Sequence, residues 1–215
     1  TEWNVLLSPR LSISHVITDR ATFTFGYGRY YQNLTYRNIY LNDDNDLTTA
    51  LPIVGNSHVQ AQGVTAYEFG LNWEFVDFWK LGVVGWSKDY SDLGSTERVQ
   101  AFPYSYAVVV NYDYGSARGL DLRLIKRGGT AWSTDIQYTL SRATANRADA
   151  WQGYRSSDTP ESMPKKEVLM SYDRTHNLTM TGGYQFDKKN SPRFFGVYPL
   201  NKTAVHVTLV GISGS

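Results

Sequence analysis

Residues 65–75, TAYEFGLNWEF, alternate strictly between large apolar side chains and small or polar ones. In an extended chain the first set lies on one face and the second on the other: Tyr67, Phe69, Leu71, Trp73 and Phe75 against Ala66, Glu68, Gly70, Asn72 and Glu74. Successive side chains of a β-strand point to opposite faces, whereas those of a helix return to one face about every 3.6 residues. The stretch therefore predicts a two-faced β-strand.

The same alternation recurs along the chain, as in residues 21–28, 132–140 and 177–186. Together with the turn residues between these segments it predicts eight strands. Their expected positions are about 5–17, 21–32, 64–75, 79–99, 105–126, 131–145, 175–186 and 194–212. The fold class is therefore all-β, with sequential strands running antiparallel.

The connections between the predicted strands alternate between short and long. The short ones are residues 18–20, 76–78, 127–129 and 187–192, and the long ones are about 33–63, 100–104 and 146–174. In an up-and-down sheet this order puts every short turn at one rim and every long loop at the other. Outer-membrane barrels have short periplasmic turns and long extracellular loops, so the pattern predicts a transmembrane β-barrel with the three long segments outside.

Aromatic residues fall near the two ends of the predicted strands. The chain has 16 Tyr and 6 Trp, whose apolar body and polar tip suit a membrane–water boundary. One expected belt lies beside the short turns, at Trp73, Phe75, Phe78, Trp79, Trp132, Tyr184, Phe186 and Phe194. The other lies toward the long loops, at Tyr27, Trp86, Tyr90 and Tyr138.

Two other classes of fold are disfavoured. The mean hydropathy is −0.40, and no apolar run approaches the roughly 18 residues of a membrane helix. A soluble β-sandwich also alternates, but the long strands, the asymmetry of the turns and the Gly, Ser, Thr, Asn and Gln on the polar faces favour a barrel in lipid. Pro9 and Pro199 are placed near strand ends, because proline cannot donate to a β-ladder.

The sequence carries no signature of catalysis, and we expect a protein that is not an enzyme and has no cofactor. It contains no cysteine, and its four histidines, His15, His58, His176 and His206, lack metal-ligand spacing. A structural hydrogen bond is the favoured role for His176. The net charge of +1 gives no electrostatic footprint for nucleic acid.

Candidate binding residues fall into three groups. The first consists of charges on the predicted lumen-facing side: Arg10, Glu68, Glu74, Asp121, Arg123 and Asp135. The second is the aromatic pair Trp151 and Tyr154 in the third long loop, which either touches a ligand or anchors the loop. The third is a weak candidate for Ca²⁺, formed by Asp43, Asp44 and Asp46, for which a solvated loop is the favoured interpretation.

Several segments in order along nearly the whole chain resemble the C-terminal barrel of TonB-dependent outer-membrane receptors, especially the Oar-like group that bears a carboxypeptidase regulatory domain. The similar segments are SPRLS at 8–12, FGYGRYYQ at 25–32, AYEFG at 66–70, WSKDYSDL at 86–93, YGSARGLD at 114–121, YTLSRA at 138–143 and DRTHNL at 173–178. Asp121 stands where the family pattern has Glu.

The resemblance implies a larger barrel, of about 22 strands closed around a plug, that imports a ligand with energy from the inner membrane. Residues 1–215 are then a partial barrel domain in the bacterial outer membrane, without the plug domain. The implied partners are the lipid bilayer, the plug, an energy-coupling protein and, in another interpretation, further outer-membrane subunits. A structural subunit that scaffolds an outer-membrane assembly and a stand-alone eight-stranded barrel remain as alternatives.

Overall fold

The computed structural model describes residues 5–42, 44, 46–48, 52–147, 166–171 and 173–213. Within them, ten strands form one sheet beside a four-residue helix, α1 (Tyr36–Ile39). No helix in this part of the chain is long and apolar enough to cross a membrane. The strands are β1 (Arg10–Thr18), β2 (Ala21–Gln32), β3 (Ile53–Val54), β4 (Gln62–Val76), β5 (Trp79–Ala101), β6 (Tyr104–Lys126), β7 (Trp132–Ala145), β8 (Val168–Leu169), β9 (His176–Phe186) and β10 (Thr203–Ile212).

The eight long strands follow one another across the sheet in the order β1-β2-β4-β5-β6-β7-β9-β10, and every neighbouring pair is antiparallel. This confirms the predicted all-β, up-and-down order. Across the described residues β1 and β10 do not pair with each other, so the sheet is open. The closed eight-stranded ring considered from the sequence is not formed by this part of the chain.

The register keeps the two predicted faces separate from strand to strand. One row of directly paired residues is polar or small for most of its length: Ser12, Gly26, Glu68, Trp86, Gly119 and Ser141. The next row is apolar: Ile13, Phe25, Phe69, Gly85, Leu120 and Leu140. A slip of one residue would exchange the faces of a strand, so the turns and the alternation together fix this register.

The apolar face is uncovered by protein. Phe69, Leu209 and Ile13 are 53%, 63% and 48% exposed, although each lies within a paired strand. The buried hydrophobic residues of the described chain are few: Leu34, Ala66, Ala107, Val109, Ala145 and Met170. A sheet of this size with so small a core requires an external apolar phase, as a bilayer provides.

Six of the eight residues predicted for the belt at the short-turn rim lie together there, whereas Phe78 lies in the turn between β4 and β5 and Phe194 in the connection between β9 and β10. Trp73, Phe75, Trp79 and Trp132 form a chain of ring contacts, with successive centroids 5.7, 6.3 and 5.7 Å apart. Tyr184 and Phe186 continue it on β9, 4.8 Å apart. We call these six residues the aromatic girdle.

The prediction that Trp86 and Tyr90 belong to the belt near the long loops is wrong. Trp86 pairs with Glu68 and Gly119, and Tyr90 is four residues further along β5, so both lie on the polar face. The indole N–H of Trp86 donates to Asp121 there, which satisfies a group that hydrocarbon would leave unpaired. Tyr27, also expected in this belt, does lie on the apolar face, where its ring packs at a tilt against Tyr67 with centroids 5.3 Å apart.

Lys126 is a charged residue on the apolar face, and its environment explains how it is tolerated. Its ammonium nitrogen lies 3.8 Å from the ring centroid of Trp132 and 2.8 Å from the Trp132 carbonyl oxygen. It also donates to the hydroxyl of Thr130. The side chain therefore bends toward the turn, where a long amphipathic chain keeps its charge out of the apolar layer.

Two strand limits differ from the prediction by more than two residues. β1 begins at Arg10 and β10 at Thr203, rather than at residues 5 and 194. In both cases the predicted strand would have run through a proline, Pro9 or Pro199, which cannot donate to the ladder. The fourth connection at the short-turn rim consequently covers residues 187–202, much longer than expected.

The connection between β6 and β7 depends on glycine. Gly128 and Gly129 have φ angles of +87° and +71°, in the left-handed region that side chains with a Cβ rarely adopt. A Cβ on either residue would also meet the ring of Phe78, at 2.9 or 2.6 Å. The neighbouring turn thus packs directly against this one, and the amide of Arg127 donates to the carbonyl of Phe78 at 3.0 Å.

An added charge should lower the stability of the protein much more on the apolar face than on the polar face. Leu122 lies on the apolar face, between Val83 and Tyr138, and Leu122→Arg should lower the free energy of unfolding in lipid vesicles by about 2–4 kcal/mol. Thr179→Arg, on the polar face of β9, is the matched control and should change it by less than about 1 kcal/mol. Denaturant titration of the vesicle-embedded protein measures both, and equal losses would contradict the assignment of the faces.

Candidate functional site

The structure offers two regions with built polar chemistry. The first is the polar face of the long strands, which carries all six charges predicted to face the lumen. The second is a layer formed by the long segments beyond the strands, which the sequence did not predict. We call it the loop layer; it comprises the described parts of residues 33–61 and 145–175 together with residues 91–113 of the β5–β6 hairpin.

On the polar face, Arg123 and Asp135 form a two-point ion pair across β6 and β7. Arg123 Nε and Nη2 donate to the two carboxylate oxygens at 3.0 and 2.6 Å. Arg127 approaches the same carboxylate at 3.6 Å, and Gln137 donates to it at 3.3 Å. The Arg123 side chain is half exposed, so this ion pair is partly open to solvent and should contribute little to stability.

Glu74 lies near this cluster, in a recess of about 280 Å³. Its carboxylate is 3.7 Å from the ammonium nitrogen of Lys80, and Arg123 lines the same recess. At the recess mouth, Arg20 and Asp77 of two neighbouring turns form an ion pair at 2.7 Å. Charges of both signs thus alternate along the short-turn end of the polar face, and no single sign dominates.

Toward the long loops, Arg10 and Glu68 line a second recess together with Tyr30. The Arg10 guanidinium carbon lies 4.7 Å from the Tyr30 ring centroid, a cation–π contact. The Tyr30 ring packs directly over Gly28, where a Cβ would lie 2.6 Å from a ring carbon. Asp121, between the two recesses, accepts the indole N–H of Trp86 at 3.1 Å. The six predicted charges therefore share one face, but only four of them line a recess: Glu74 and Arg123 line the first, and Arg10 and Glu68 line the second.

The β5–β6 hairpin is the scaffold of the loop layer. Each strand has 23 residues, about 55 Å at the usual rise and tilt, against an apolar band of about 25 Å. The half beyond the band carries the two most buried apolar side chains described, Ala107 and Val109. Sequence periodicity does not distinguish this half from the membrane-spanning half, because a strand alternates in both.

The first long segment packs onto the hairpin. β3 pairs in parallel with Ala107 and Val108, and Asn56 donates to the Val109 carbonyl at 3.0 Å. Asn111 exchanges hydrogen bonds with the backbone of Gln60, at 2.7 and 3.0 Å, and donates to the carbonyl of Asp92 at 2.8 Å. One asparagine thus joins the segment to both strands of the hairpin.

The start of the third long segment is held by a buried ion pair. The side chains of Arg147 and Asp113 are 1% and 7% exposed, with Arg147 Nη1 3.5 Å from Asp113 Oδ1. The same guanidinium donates to Ser95, and the Asn146 amide donates to Asp113 at 3.0 Å. Charges this deeply buried persist only when they are paired and hydrogen-bonded, so the cluster fixes the path of the chain.

The end of the third segment is tied to β7. Asp173 is buried and accepts the backbone N–H of Ala143 at 2.7 Å and the hydroxyl of Thr175 at 2.9 Å. Glu167 accepts hydroxyls from Ser116, at 3.0 Å, and from Thr144. Asp173 is the first residue of the DRTHNL segment. Its place in that segment is therefore explained by a structural role, since its carboxylate accepts the hydrogen bonds that join the segment to β7.

His176 has the structural hydrogen bond favoured from the sequence. Its Nδ1 lies 2.7 Å from the Tyr138 hydroxyl, and the two rings stack at 6.1 Å. Its backbone amide donates to Ser213 at 3.0 Å. The residue therefore stabilises the end of β9 beside the loop layer.

The remaining candidates are partly outside the described residues. Trp151, Tyr154 and Asp43 lie there, and their binding roles stay predictions. Asp46 is described, and the hydroxyl and amide of Thr48 donate to its carboxylate at 2.6 and 2.9 Å, which holds the pKa of that carboxyl below its usual value. Asp44 is also described, and the described residues contain no cluster of three metal-ligating side chains.

A family model matches the chain, and solved structures share its fold. The family model for the β-barrel of TonB-dependent receptor-like proteins matches residues 2–206. No curated protein matches the chain. Similar solved structures include the FrpB iron transporter of Neisseria meningitidis, with a TM-score of 0.58, 13% identity, and coverage of 85% of this chain and 25% of that one.

Two further solved structures show the same fold. The alcaligin outer-membrane receptor FauA of Bordetella pertussis has a TM-score of 0.56 and 12% identity, covering 96% of this chain and 29% of that one. The ferric-catecholate import receptor Fiu of E. coli K12 has a TM-score of 0.54 and 16% identity, with 83% and 22% covered. The chain thus spans about a quarter of the length of these structures.

The polar-face ion pair should contribute a modest coupling. A double-mutant cycle with Arg123→Ala and Asp135→Ala should give a coupling free energy of about 0.5–1 kcal/mol in denaturant titration, because the arginine is half exposed. The control cycle uses Arg118 and Asp89, which are 4.0 Å apart and more exposed, and should give nearly zero. Similar coupling free energies for the two cycles would contradict the closer, two-point geometry of the Arg123–Asp135 pair.

The loop layer should loosen when its buried ion pair is broken. Arg147→Met leaves the Asp113 carboxylate buried without its cation, a change that costs about 3–5 kcal/mol at such sites. We expect faster proteolysis within residues 91–113, with the membrane-spanning strands still resistant. Arg142→Met, at an exposed position of β7, is the control; cleavage at the wild-type rate in Arg147→Met would show that the pair does not hold the layer.

Proposed function

The chain belongs to the TonB-dependent receptor β-barrel family, and from that premise we propose that it forms part of the wall of an outer-membrane receptor that imports a ligand with energy from the inner membrane. The observation that carries the proposal is the family match over residues 2–206. The two-faced sheet supports it, because the apolar face suits hydrocarbon and the polar face suits a wet or plugged interior.

In the proposed orientation the loop layer faces the outside of the cell and the short-turn rim faces the periplasm. Long loops lie outside and short turns inside in barrels of this kind. The loop layer then presents residues 33–63, 100–104 and 146–174 to an incoming ligand. Its buried ion pair and its asparagine bridge support this role, since a receptor surface benefits from loops that are already positioned.

We propose that the polar face contacts a plug domain. The Arg123–Asp135 cluster is half exposed and keeps hydrogen-bonding capacity on its open side. Glu68 and Arg10 line an open recess about 360 Å³ in volume, where a plug side chain of either charge would find a partner. The mixed signs favour specific contacts with a folded domain over selection of anions or cations from solution.

The larger assembly is also part of the proposal. The chain spans 22–29% of the length of the similar structures, and β1 and β10 each leave an edge without a strand partner within the described residues. We infer that other strands complete the wall and that an energy-coupling protein acts through the plug. No catalytic step is assigned to any residue, and the protein acts as a receptor rather than an enzyme.

The similar structures include an iron transporter, a ferric-catecholate import receptor and a copper transporter, and we propose a metal or metal-chelate cargo as the first class to test. Uptake of labelled ferric and cupric chelates by cells that express the full-length protein should exceed that of cells lacking its gene. Removal of the energy-coupling protein should abolish the difference. Uptake that persists without the coupling protein would contradict energy-dependent import.

The orientation can be tested separately by cysteine labelling, since this chain contains no cysteine. Phe102→Cys, at the fully exposed tip of the β5–β6 hairpin, should react with a membrane-impermeant maleimide in intact cells. Asp77→Cys, in a short turn, should react only after the outer membrane is permeabilised. The reverse pattern would invert the proposed topology.

A further inference from the structure

The connection between β9 and β10 stands apart from the other three at the short-turn rim. Those three are residues 19–20, 77–78 and 127–131, whereas this one covers 187–202. Neither the family match nor the import function explains its length. Its fold, apolar tip and charge suggest a function of its own.

The connection is built from three successive tight turns. The amide of Asn190 donates to the Asp187 carbonyl at 3.1 Å, which places Lys188 and Lys189 at the first tip. Phe194 and Val197 exchange two backbone hydrogen bonds, both 2.9 Å. The last turn is closed by the Asn201 amide on Tyr198, at 3.1 Å. The segment therefore has a defined shape despite its length.

The second turn carries an apolar group at its tip. Phe195 and Gly196 have φ angles of +46° and +85°, so they are the central residues of a hairpin turn with two left-handed positions. Asn, Asp or Gly usually occupy the first of these, and a bulky aromatic residue is uncommon there. Phe195 is fully exposed, and its neighbours Phe194 and Val197 are 60% and 63% exposed.

The connection that carries this tip is rich in basic residues. The connection contains four basic residues and one acidic residue: Lys188, Lys189, Arg193 and Lys202 against Asp187. A Cβ on Gly196 would lie 4.0 Å from Arg193 Nη2, so this guanidinium sits beside the apolar tip. Apolar side chains flanked by cations are the pattern by which a protein segment lies in the interface of an anionic bilayer.

The connection is also continuous with the aromatic girdle. The amide of Lys202 donates to the Phe186 carbonyl at 2.8 Å, and the Phe186 ring makes an edge contact with Tyr184. The chain thus leaves and returns at the level where the girdle places the bilayer surface. Lys188 reaches back over the Tyr198 ring, at 6.0 Å. The tip lies within a few residues of the lipid boundary.

We propose that residues 187–202 form a lipid anchor, in which Phe194, Phe195 and Val197 insert among the acyl chains of the adjacent leaflet and the basic residues bind anionic phospholipid headgroups. In the proposed orientation this is the periplasmic leaflet. The anchor fixes the β9–β10 hairpin relative to the membrane surface. It depends on the position of the short-turn rim at a bilayer and not on ligand import.

The test uses the full-length protein in a cysteine-free background, reconstituted in nanodiscs. Val197→Cys carries a bimane label beside the tip and leaves both phenylalanines in place. Phospholipids with a nitroxide on the upper acyl chain should quench the label strongly when the bilayer contains phosphatidylglycerol. The control label at Tyr104→Cys, next to the hairpin tip at the other rim, should be quenched only by a water-soluble nitroxide.

Two sets of substitutions separate the apolar and electrostatic parts. K188Q/K189Q/R193Q should reduce lipid quenching at least about twofold, since each basic residue near an anionic surface contributes roughly fivefold to partitioning. F194S/F195S should also reduce it, whereas Phe102→Ser, an equally exposed phenylalanine at the opposite rim, should not. The heat-modifiable gel mobility of each variant serves as the check that its barrel is folded.

Three outcomes would overturn the proposal. Quenching at residue 197 by the water-soluble nitroxide alone would place the tip in solvent. Protection from both quenchers would show that it packs against protein, such as a periplasmic partner. Equal lipid quenching in neutral phosphatidylcholine discs would remove the role of the cations. None of these results bears on uptake of metal chelates, so failure here is distinguishable from failure of the proposed import function.

Discussion

Every structural feature of this chain depends on the pairing of backbone amides and carbonyls between neighbouring strands. In hydrocarbon an unpaired peptide group costs several kcal/mol, so a wall of strands is stable only if each strand is bonded on both sides. The ladder in turn forces alternate side chains to opposite faces, and the register holds Glu68 level with Trp86 and Phe69 level with Gly85. The sorting of side chains between lipid and interior follows from the backbone.

The alternation of residues 65–75 was sufficient to predict the strand, its two faces and, by repetition, the order of the whole sheet. It also predicted that the six candidate charges share one face of the sheet, because parity along a strand is preserved from one turn to the next. It failed at Pro9 and Pro199, where the apolar pattern continues beyond the point at which the ladder ends. The prediction for Trp86 was also wrong, because it followed the residue type, which suggested a lipid boundary. The parity of Trp86 along its strand assigns it to the polar face.

The loop layer could not be predicted from the sequence, for a different reason. Arg147 is 34 residues from its partner Asp113, and Asn111 is 51 residues from its partner Gln60, so nothing local marks either pair. Arg147 in particular stands in a polar stretch and reads as a solvated side chain, yet it is among the most buried residues described. A buried Arg or Asp becomes predictable only when the segment that covers it is known. The pairings within the polar face were hidden for the same reason.

The packing of β3 against Ala107 has an evolutionary consequence. Ala107 is fully buried, and its amide donates to the Pro52 carbonyl at 2.9 Å, so a larger side chain would have to displace the first long segment. Sequence drift in one loop is therefore constrained by the others. We expect paired substitutions between residues 52–60 and 107–111 across homologues, while the tip at Phe102 varies independently. Diversification of this surface would proceed by exchange of whole loop sets rather than by single residues.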